Sequence, residues 1–146
     1  MSHTIARILS LFITNHNSDT LSKSSLKMDE KGILEDKHYD KERDRSVLIT
    51  STKAYTMAKK EDISMEYGSL GENIVIDYNL HLLNPGDRLE IGEIILEIVQ
   101  NCTLCNHLSA IDKRVPKLLR EDRGVFAKVV KGGRLHLNDE VCLLGK

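Results

Sequence analysis

Short apolar segments separated by turn residues run along most of the chain. Residues 47–50, 73–76, 125–130 and 141–144 each have the length and the β-branched content of a strand. Residues 4–13 also predict a strand, but their apolar and polar positions do not alternate cleanly. That pattern favours a strand buried on both faces.

A strong turn precedes a predicted hairpin. Asn84-Pro85-Gly86-Asp87 has proline at the second position and glycine at the third, as a type II turn requires. Apolar residues then alternate with charged ones over 88–91, Gly92-Glu93 reverses the chain, and 94–99 continue a partly alternating pattern. The sequence therefore predicts a β-hairpin with one buried face.

Helices are predicted at three places. Ser51 is a good N-cap for a helix over 52–60, residues 103–112 have a helical pattern, and Pro116 suits the first turn of a short helix ending near 120. The polar residues 14–25 and the densely charged residues 27–45 are interpreted as surface loops. We expect one domain over 1–146, mostly β, with seven or eight strands in a closed or nearly closed barrel and two or three short helices.

Composition narrows the class of function. The 146 residues include 21 Ile and Val but only 5 Ala, which favours strands over a helical bundle. With a net charge of −1, two Phe and no Trp, the chain lacks the basic field and the stacking platforms of a nucleic-acid binder. No segment is apolar enough to span a bilayer, and no export signal is evident. We expect a cytoplasmic protein with reduced thiols, no nucleic-acid partner and no membrane partner.

Cys102 and Cys105, spaced as CxxC, are the strongest local signal. They follow a predicted strand and precede a predicted helix, where backbone N–H groups stabilise a thiolate. Such a thiol suits a nucleophile, a persulfide carrier or a metal ligand, whereas the alternative is two small buried apolar residues. A structural zinc site would need four ligands, and only His107 and Cys142 or another His are at hand to complete it. A reversible Cys102–Cys105 disulfide would instead make the chain a thiol redox protein.

Two further motifs carry polar side chains suited to a binding site. In Asp36-Lys37-His38 a carboxylate two residues from an imidazole can orient a ligand or take part in proton transfer. In Gly71-Glu72-Asn73 the side chains can hold the edge of a heterocycle. Residues 113–134 hold eight basic and two acidic residues, a balance that can attract a small phosphorylated anion.

Taken in order, these pieces resemble the MOSC domain family, named after the C-terminal domain of molybdenum cofactor sulfurases and also found as small stand-alone proteins. The resemblance covers about residues 28–144. It rests on the following segments: Gly32-Ile33-Leu34-Glu35-Asp36-Lys37-His38, Asp44-Arg45, Gly71-Glu72-Asn73, Pro85-Gly86-Asp87-Arg88-Leu89, Ile91-Gly92, Cys105, Arg123-Gly124, and Gly133 to Asp139.

The resemblance implies a barrel of the MOSC type, which is similar to the pyruvate kinase barrel, and a pocket for the molybdenum cofactor, molybdopterin. By position, Cys105 would be the catalytic residue that ligates molybdenum or carries sulfur, and Arg123 would meet an anionic group. Some relatives are linked to reducing N-hydroxylated bases, and the family also carries an association with pyridoxal phosphate binding. The remaining pocket residues that the resemblance implies are Asp36, His38, Arg45, Glu72 and Asn73.

This sequence departs from the family pattern at three positions. Glu35 stands where relatives usually have glycine, so a positive φ there would strain the loop. Leu104 replaces a common proline, and Cys102 is an additional thiol that could resolve a persulfide on Cys105. We expect a cofactor-dependent oxidoreductase or sulfur transferase that needs an electron donor or molybdoenzyme partner. A non-catalytic module that carries or delivers cofactor or sulfur is the alternative, as is the CxxC redox protein.

Overall fold

The computed structural model describes residues 2–102 and 108–144. Within them the chain forms three α-helices, α1 (Thr52–Lys60), α2 (Leu108–Ile111) and α3 (Val115–Leu118), and single 3-10 turns at Arg43–Arg45 and Leu80–Leu82. The strands are β1 (Ser2–Thr14), β2 (Thr20–Lys23), β3 (Ser25–Asp29), β4 (Gly32–Ile33), β5 (Val47–Ser51), β6 (Ile74–Ile76), β7 (Arg88–Ile91), β8 (Ile94–Asn101), β9 (Val125–Lys131), β10 (Gly133–His136) and β11 (Glu140–Leu144).

Seven of these strands close into a barrel, which confirms the mostly β, barrel-like prediction. Their order is β1-β11-β7-β8-β9-β5-β6, and β6 pairs again with β1. The β5–β6 pair is parallel because α1 lies in the connection between the two strands, whereas the other pairs are antiparallel. Outside the barrel, β2 extends the sheet from the end of β1, and β10-β3-β4 form a separate small sheet.

The barrel interior is filled by aliphatic side chains that alternate along the strands. In β5, Val47 and Ile49 point into this core, whereas Leu48 points outward and is still buried. Across the pair, Phe126 of β9 lies directly opposite Leu48 and takes the same outward direction. This buried outer face means that another layer of the protein covers the barrel wall at β5 and β9.

The conformation of β1 explains why apolar and polar residues do not alternate cleanly along it. Its first half alternates, with Ala6 and Ile8 in the barrel core, and after a register irregularity between Ile8 and Ser10 the core residues become Leu11 and Ile13. A bulge shifts the side-chain phase by one residue. The prediction of a strand buried on both faces is therefore wrong for most of its length, because Leu9 is 36% exposed.

The helices form a cap with an apolar cluster of its own. Ala54, Tyr55 and Ala58 of α1 pack against Val115 of α3 and Leu108 of α2. The α1 prediction is confirmed to the residue, with the Ser51 hydroxyl accepting a hydrogen bond from the Lys53 N–H at 3.1 Å. Within residues 2–102 and 108–144, no helix is long and apolar enough to cross a membrane.

The two segments interpreted as loops contain strands, so those interpretations are partly wrong. The polar segment 14–25 contributes β2, which pairs with the end of β1. The charged segment 27–45 begins within β3, and it also supplies β4. The outward-facing residues of these strands are polar, so the sequence does not show a clear strand pattern. The partner of β3, the strand β10, also lies about a hundred residues further along the chain. Only residues 34–46 form the exposed charged loop.

Candidate functional site

A cavity of about 490 Å³ lies on the outer wall of the barrel where β5 and β9 pair. Its floor is apolar and consists of Leu48, Leu70, Phe126 and Cys102. Cys102 is 2% exposed, and its backbone N–H donates to the Gly124 carbonyl at 2.8 Å, which ties the end of β8 to the start of β9. The cavity therefore has a flat, water-poor floor that suits the face of a planar ring.

The charged loop 34–46 supplies the opposite wall. Lys37, His38, Lys41 and Arg45 all line the cavity from this loop, together with the single carboxylate Glu42. The Arg45 guanidinium lies 5.7 Å from the centre of the Phe126 ring, so this wall reaches across to the floor. The remaining lining residues are Thr14, Gly71, Asn73 and Arg123. Four cationic side chains against one carboxylate give the lining a net positive charge, which favours an anionic ligand.

Asp36 anchors the charged loop to the barrel. It is 2% exposed, and its Oδ1 accepts the Thr14 N–H at 2.8 Å and the Asn73 Nδ2 hydrogen at 3.4 Å. Its Oδ2 accepts the backbone N–H and the ring Nδ1 of His38, both at 3.0 Å. Burial by itself raises the pKa of Asp36, but the hydrogen bonds from His38 and Thr14 outweigh it and hold this pKa below its ordinary value. The carboxylate is therefore ionised near neutral pH.

Asn73 joins three parts of the site. Its Oδ1 accepts the Leu48 N–H at 3.0 Å, and its Nδ2 donates to the Phe12 carbonyl at 3.2 Å as well as to Asp36. A buried amide with these partners is fixed in one orientation. Asn73 consequently sets the position of the loop that carries Gly71 at the cavity wall.

Glu72 points away from the cavity, although both of its neighbours line it. Its Oε2 accepts the Thr50 hydroxyl at 2.6 Å and a very short hydrogen bond from the Tyr55 hydroxyl. Burial first, and then the charge and hydrogen bond of Glu72, raise the pKa of Tyr55 well above its ordinary value. Among the described residues Glu72 Oε1 is buried without a hydrogen-bond partner. The side chain thus braces the Gly71-Glu72-Asn73 loop from behind, against α1.

Arg123 reaches the cavity because Gly124 lets the chain pass close to β5. Gly124 has a φ of +135°, and a Cβ there would lie 2.8 Å from the Ile49 carbonyl oxygen. Any larger residue would push this segment away from the barrel. Arg123 itself is 4% exposed. A guanidinium held this deep in a cavity wall is a strong partner for an anionic group.

The structure brings four of the predicted binding residues to the cavity, namely His38, Arg45, Asn73 and Arg123. Asp36 and Glu72 stand behind the wall and hold it in place, so their part in the site is support of other side chains. Cys105, predicted as the catalytic and molybdenum-binding residue, lies outside the described residues, and so does His107. Cys102 is a free thiol in the cavity floor, and its predicted resolving role stays a prediction.

Two of the cavity cations were not predicted from the sequence, which instead indicated that residues 113–134 attract the anion. Lys37 and Lys41 line the cavity, and they recur with Arg45 at every fourth residue, a spacing that could have identified them. Of the eight basic residues in 113–134, only Arg123 lines the cavity. Others are paired elsewhere, such as Lys128 with Glu97 at 3.5 Å. Neighbours in sequence need not meet in space.

Glu35, which stands where relatives usually have glycine, has a backbone conformation that favours glycine. This residue has a φ of +75°, the left-handed region that glycine adopts without strain. Its carboxylate lies 3.6 Å from the Lys23 ammonium on the surface, with 72% of its side chain exposed. The backbone of Glu35 is therefore strained, but the neighbouring Asp36 still holds His38 at the cavity through its hydrogen bonds.

Comparison with known proteins agrees with this architecture. The YuaD protein of Bacillus subtilis has a similar structure, with a TM-score of 0.78 over 98% of both chains at 17% identity. YiiM from Escherichia coli gives a TM-score of 0.73 at 17% identity, covering 96% of this chain and 70% of that one. YiiM from Geobacillus stearothermophilus gives 0.74 at 13% identity, over 96% and 75%. At such identities the likeness shows the fold.

The family assignment rests on a different comparison. No curated protein sequence matches the chain. A family model described as the MOSC domain, however, matches residues 22–142, which include the charged loop, the Gly71-Glu72-Asn73 loop and both barrel strands beneath the cavity. Because this match covers most of the sequence, the chain belongs to the MOSC domain family.

Proposed function

We propose that this protein binds a molybdenum cofactor in the cavity on the outer wall of the barrel. The observation that carries the proposal is the composition of the cavity, with four cationic side chains above an apolar floor. The MOSC family is associated with this cofactor in general, and the cofactor combines a planar pterin with a phosphate. A volume of about 490 Å³ is in the range of small-molecule sites, roughly 300 to 1,000 Å³.

The residues present fit the two ends of such a ligand. Arg45, whose Nε lies 3.6 Å from Glu42 Oε2, and Arg123 line the cavity with planar guanidinium groups of the shape that pairs with a phosphate, and Lys41 adds a point charge. Leu48 and Phe126 give the ring a dry surface that excludes water from the floor. When bound, the cofactor supplies a molybdenum centre able to exchange electrons or hold sulfur.

Cys105 is the residue we propose to hold the metal or sulfur. A thiolate is a soft ligand, as molybdenum and sulfane sulfur prefer. It follows Cys102 by three positions in the sequence, and Cys102 lies in the cavity floor. The proposed activity is oxidoreduction, of N-hydroxylated compounds among others, or sulfur transfer in the cytoplasm, with an electron donor or a molybdoenzyme as the partner.

Anaerobic reconstitution tests the proposal. Purified protein is incubated with molybdenum cofactor and passed through gel filtration, and molybdenum and pterin are assayed in the protein peak. We expect stoichiometric co-elution for the wild type and loss of molybdenum in Cys105→Ala. Cys142→Ala is the matched control, because Cys142 lies on β11 and does not line the cavity. Unchanged molybdenum content in Cys105→Ala would refute the role of this cysteine.

The cationic wall is tested separately. Arg45→Gln should weaken cofactor retention at least tenfold, since a charge-assisted bond to a phosphate contributes about 1.5–3 kcal/mol. Arg88→Gln is the control, because Arg88 is paired with Glu97 on the barrel surface at 3.0 Å. Equal retention by both variants would show that the cofactor does not use this wall.

Catalysis and mere delivery of the cofactor predict different results. An enzyme loaded with cofactor should reduce an N-hydroxylated base when a reductase system is added, and Cys105→Ala should not. A delivery module should show no turnover but should transfer its molybdenum to an apo-molybdoenzyme. A thiol redox protein would instead form a Cys102–Cys105 disulfide on mild oxidation, which peptide mass mapping detects.

A further inference from the structure

His38 is held in a single tautomer at the wall of the cavity. Its ring Nδ1 lies 3.0 Å from Asp36 Oδ2, and the same oxygen accepts the His38 backbone N–H. The Asp36 carboxylate is ionised and can only accept hydrogen bonds, so Nδ1 carries the hydrogen. The neutral ring therefore presents a lone pair at Nε2, on the edge turned away from Asp36.

That second nitrogen is available to a ligand. His38 lines the cavity, 55% of its side chain is exposed, and Nε2 has no hydrogen-bond partner among the described residues. The other charged side chains of the lining are Lys, Arg and a single Glu, types whose ordinary pKa values lie far from neutral pH. Among the charged and basic side chains of this lining, the imidazole is the type that exchanges a proton near neutral pH.

We propose that the cavity binds a doubly charged oxyanion together with one proton, which His38 takes up at Nε2. In the empty cavity the charges of Lys37, Lys41, Arg45 and Arg123 oppose a further positive charge, whereas Asp36 and Glu42 favour it. A dianion neutralises the cations and so favours the imidazolium, whose Nε2–H then donates to an anion oxygen. Phosphate monoesters, sulfate and molybdate share this chemistry. The inference deepens the proposed function and rests on its cationic, anion-binding pocket.

Isothermal titration with sulfate tests the coupling, because sulfate keeps two negative charges throughout the range in which histidine titrates. Titrations in buffers of different ionisation enthalpy report the protons taken up per sulfate bound. We expect net proton uptake when sulfate binds, and the sulfate Kd should accordingly rise with pH, by at most about tenfold per pH unit for one proton.

Two variants assign the proton. His38→Gln keeps a hydrogen-bonding side chain without titrating, so sulfate should bind more weakly, with no proton uptake and a Kd independent of pH. His81→Gln is the matched control. His81 forms a similar pair with Asp122 at 2.8 Å but lines a different cavity, of about 280 Å³. It should behave as the wild type.

Asp36→Asn tests the carboxylate as a positioning residue. The amide keeps an acceptor for the Thr14 N–H but loses the charge that favours the imidazolium. We expect sulfate to bind with less proton uptake, and far-UV circular dichroism verifies that the variant is folded. The result for His38→Gln decides the inference independently, since the half-exposed His38 side chain makes one hydrogen bond, to Asp36, which the Gln amide can replace, and circular dichroism verifies the fold of this variant as well.

The possible failures are distinguishable. Sulfate binding without proton uptake, or with uptake that persists in His38→Gln, would overturn the role of His38 and leave the proposed cofactor site intact. Absence of sulfate binding to the wild type would contradict the anion-binding pocket itself, and with it the proposed function.

Discussion

Asp36 joins the charged loop to the barrel through one buried carboxylate, and we expect Asp36→Ala to lower the free energy of unfolding by about 2–4 kcal/mol. The substitution removes the acceptor of the Thr14 N–H at 2.8 Å and of the two His38 donors at 3.0 Å. A donor left without its charged partner costs about 1–3 kcal/mol when buried. Asn73 keeps its bond to the Phe12 carbonyl, and His38 can turn to water, so the losses do not add in full.

Urea unfolding followed by far-UV circular dichroism measures this difference, which suits a chain without tryptophan. Asp44→Ala is the matched control, because Asp44 is exposed in the same loop and forms no ion pair with any described residue. Its effect should stay within about 0.5 kcal/mol. A change below about 0.5 kcal/mol in Asp36→Ala as well would refute the view that this carboxylate anchors the loop.

The pH dependence of that difference has a definite sign. The pKa of Asp36 is lowered in the folded protein, so its contribution is complete above the unfolded-state pKa of about 3.9. It is lost as the pH falls through the lower folded-state pKa. The part of the stability gap between wild type and Asp36→Ala that comes from this carboxylate should therefore be complete above about pH 5 and shrink below about pH 4. A gap that did not shrink in acid would contradict this account.

Two backbone positions give further predictions. Gly124→Ala should cost at least about 2 kcal/mol and lower the Tm by roughly 4–8 °C, because its Cβ would lie 2.8 Å from the Ile49 carbonyl oxygen at a φ of +135°. Gly86→Ala, with a φ of +94° and nothing within 4 Å, should cost only about 1 kcal/mol, and equal losses would refute the steric argument. Glu35→Gly should raise the free energy of unfolding by up to about 1 kcal/mol, and with it the urea midpoint, since it relieves a φ of +75° and loses only the exposed pair with Lys23. A lowered midpoint would show that this pair outweighs the strain.

Local elements followed from the sequence where one residue type satisfies one backbone requirement. The turn at Asn84-Pro85-Gly86-Asp87 forms as predicted, with the Asp87 N–H donating to the Asn84 carbonyl at 2.9 Å and Gly86 at a positive φ. The Ser51 cap begins α1. These features depend on contacts within a few residues, so the local sequence contains the whole of their cause.

The sequence by itself also determined the class of fold, because alternation and β-branched content record which faces are buried. It also contains the segments by which the chain resembles its family. Only the tertiary structure decided which residues meet. β1 pairs with β11, more than a hundred residues away, and the bulge between Ile8 and Ser10 that shifts its phase lies in its pairing with β6. Asp36 turns inward and His38 outward because Thr14 and Asn73 meet the loop there. Such contacts form only when the barrel closes, so a linear pattern cannot distinguish the carboxylate that supports the wall from the imidazole that lines the cavity.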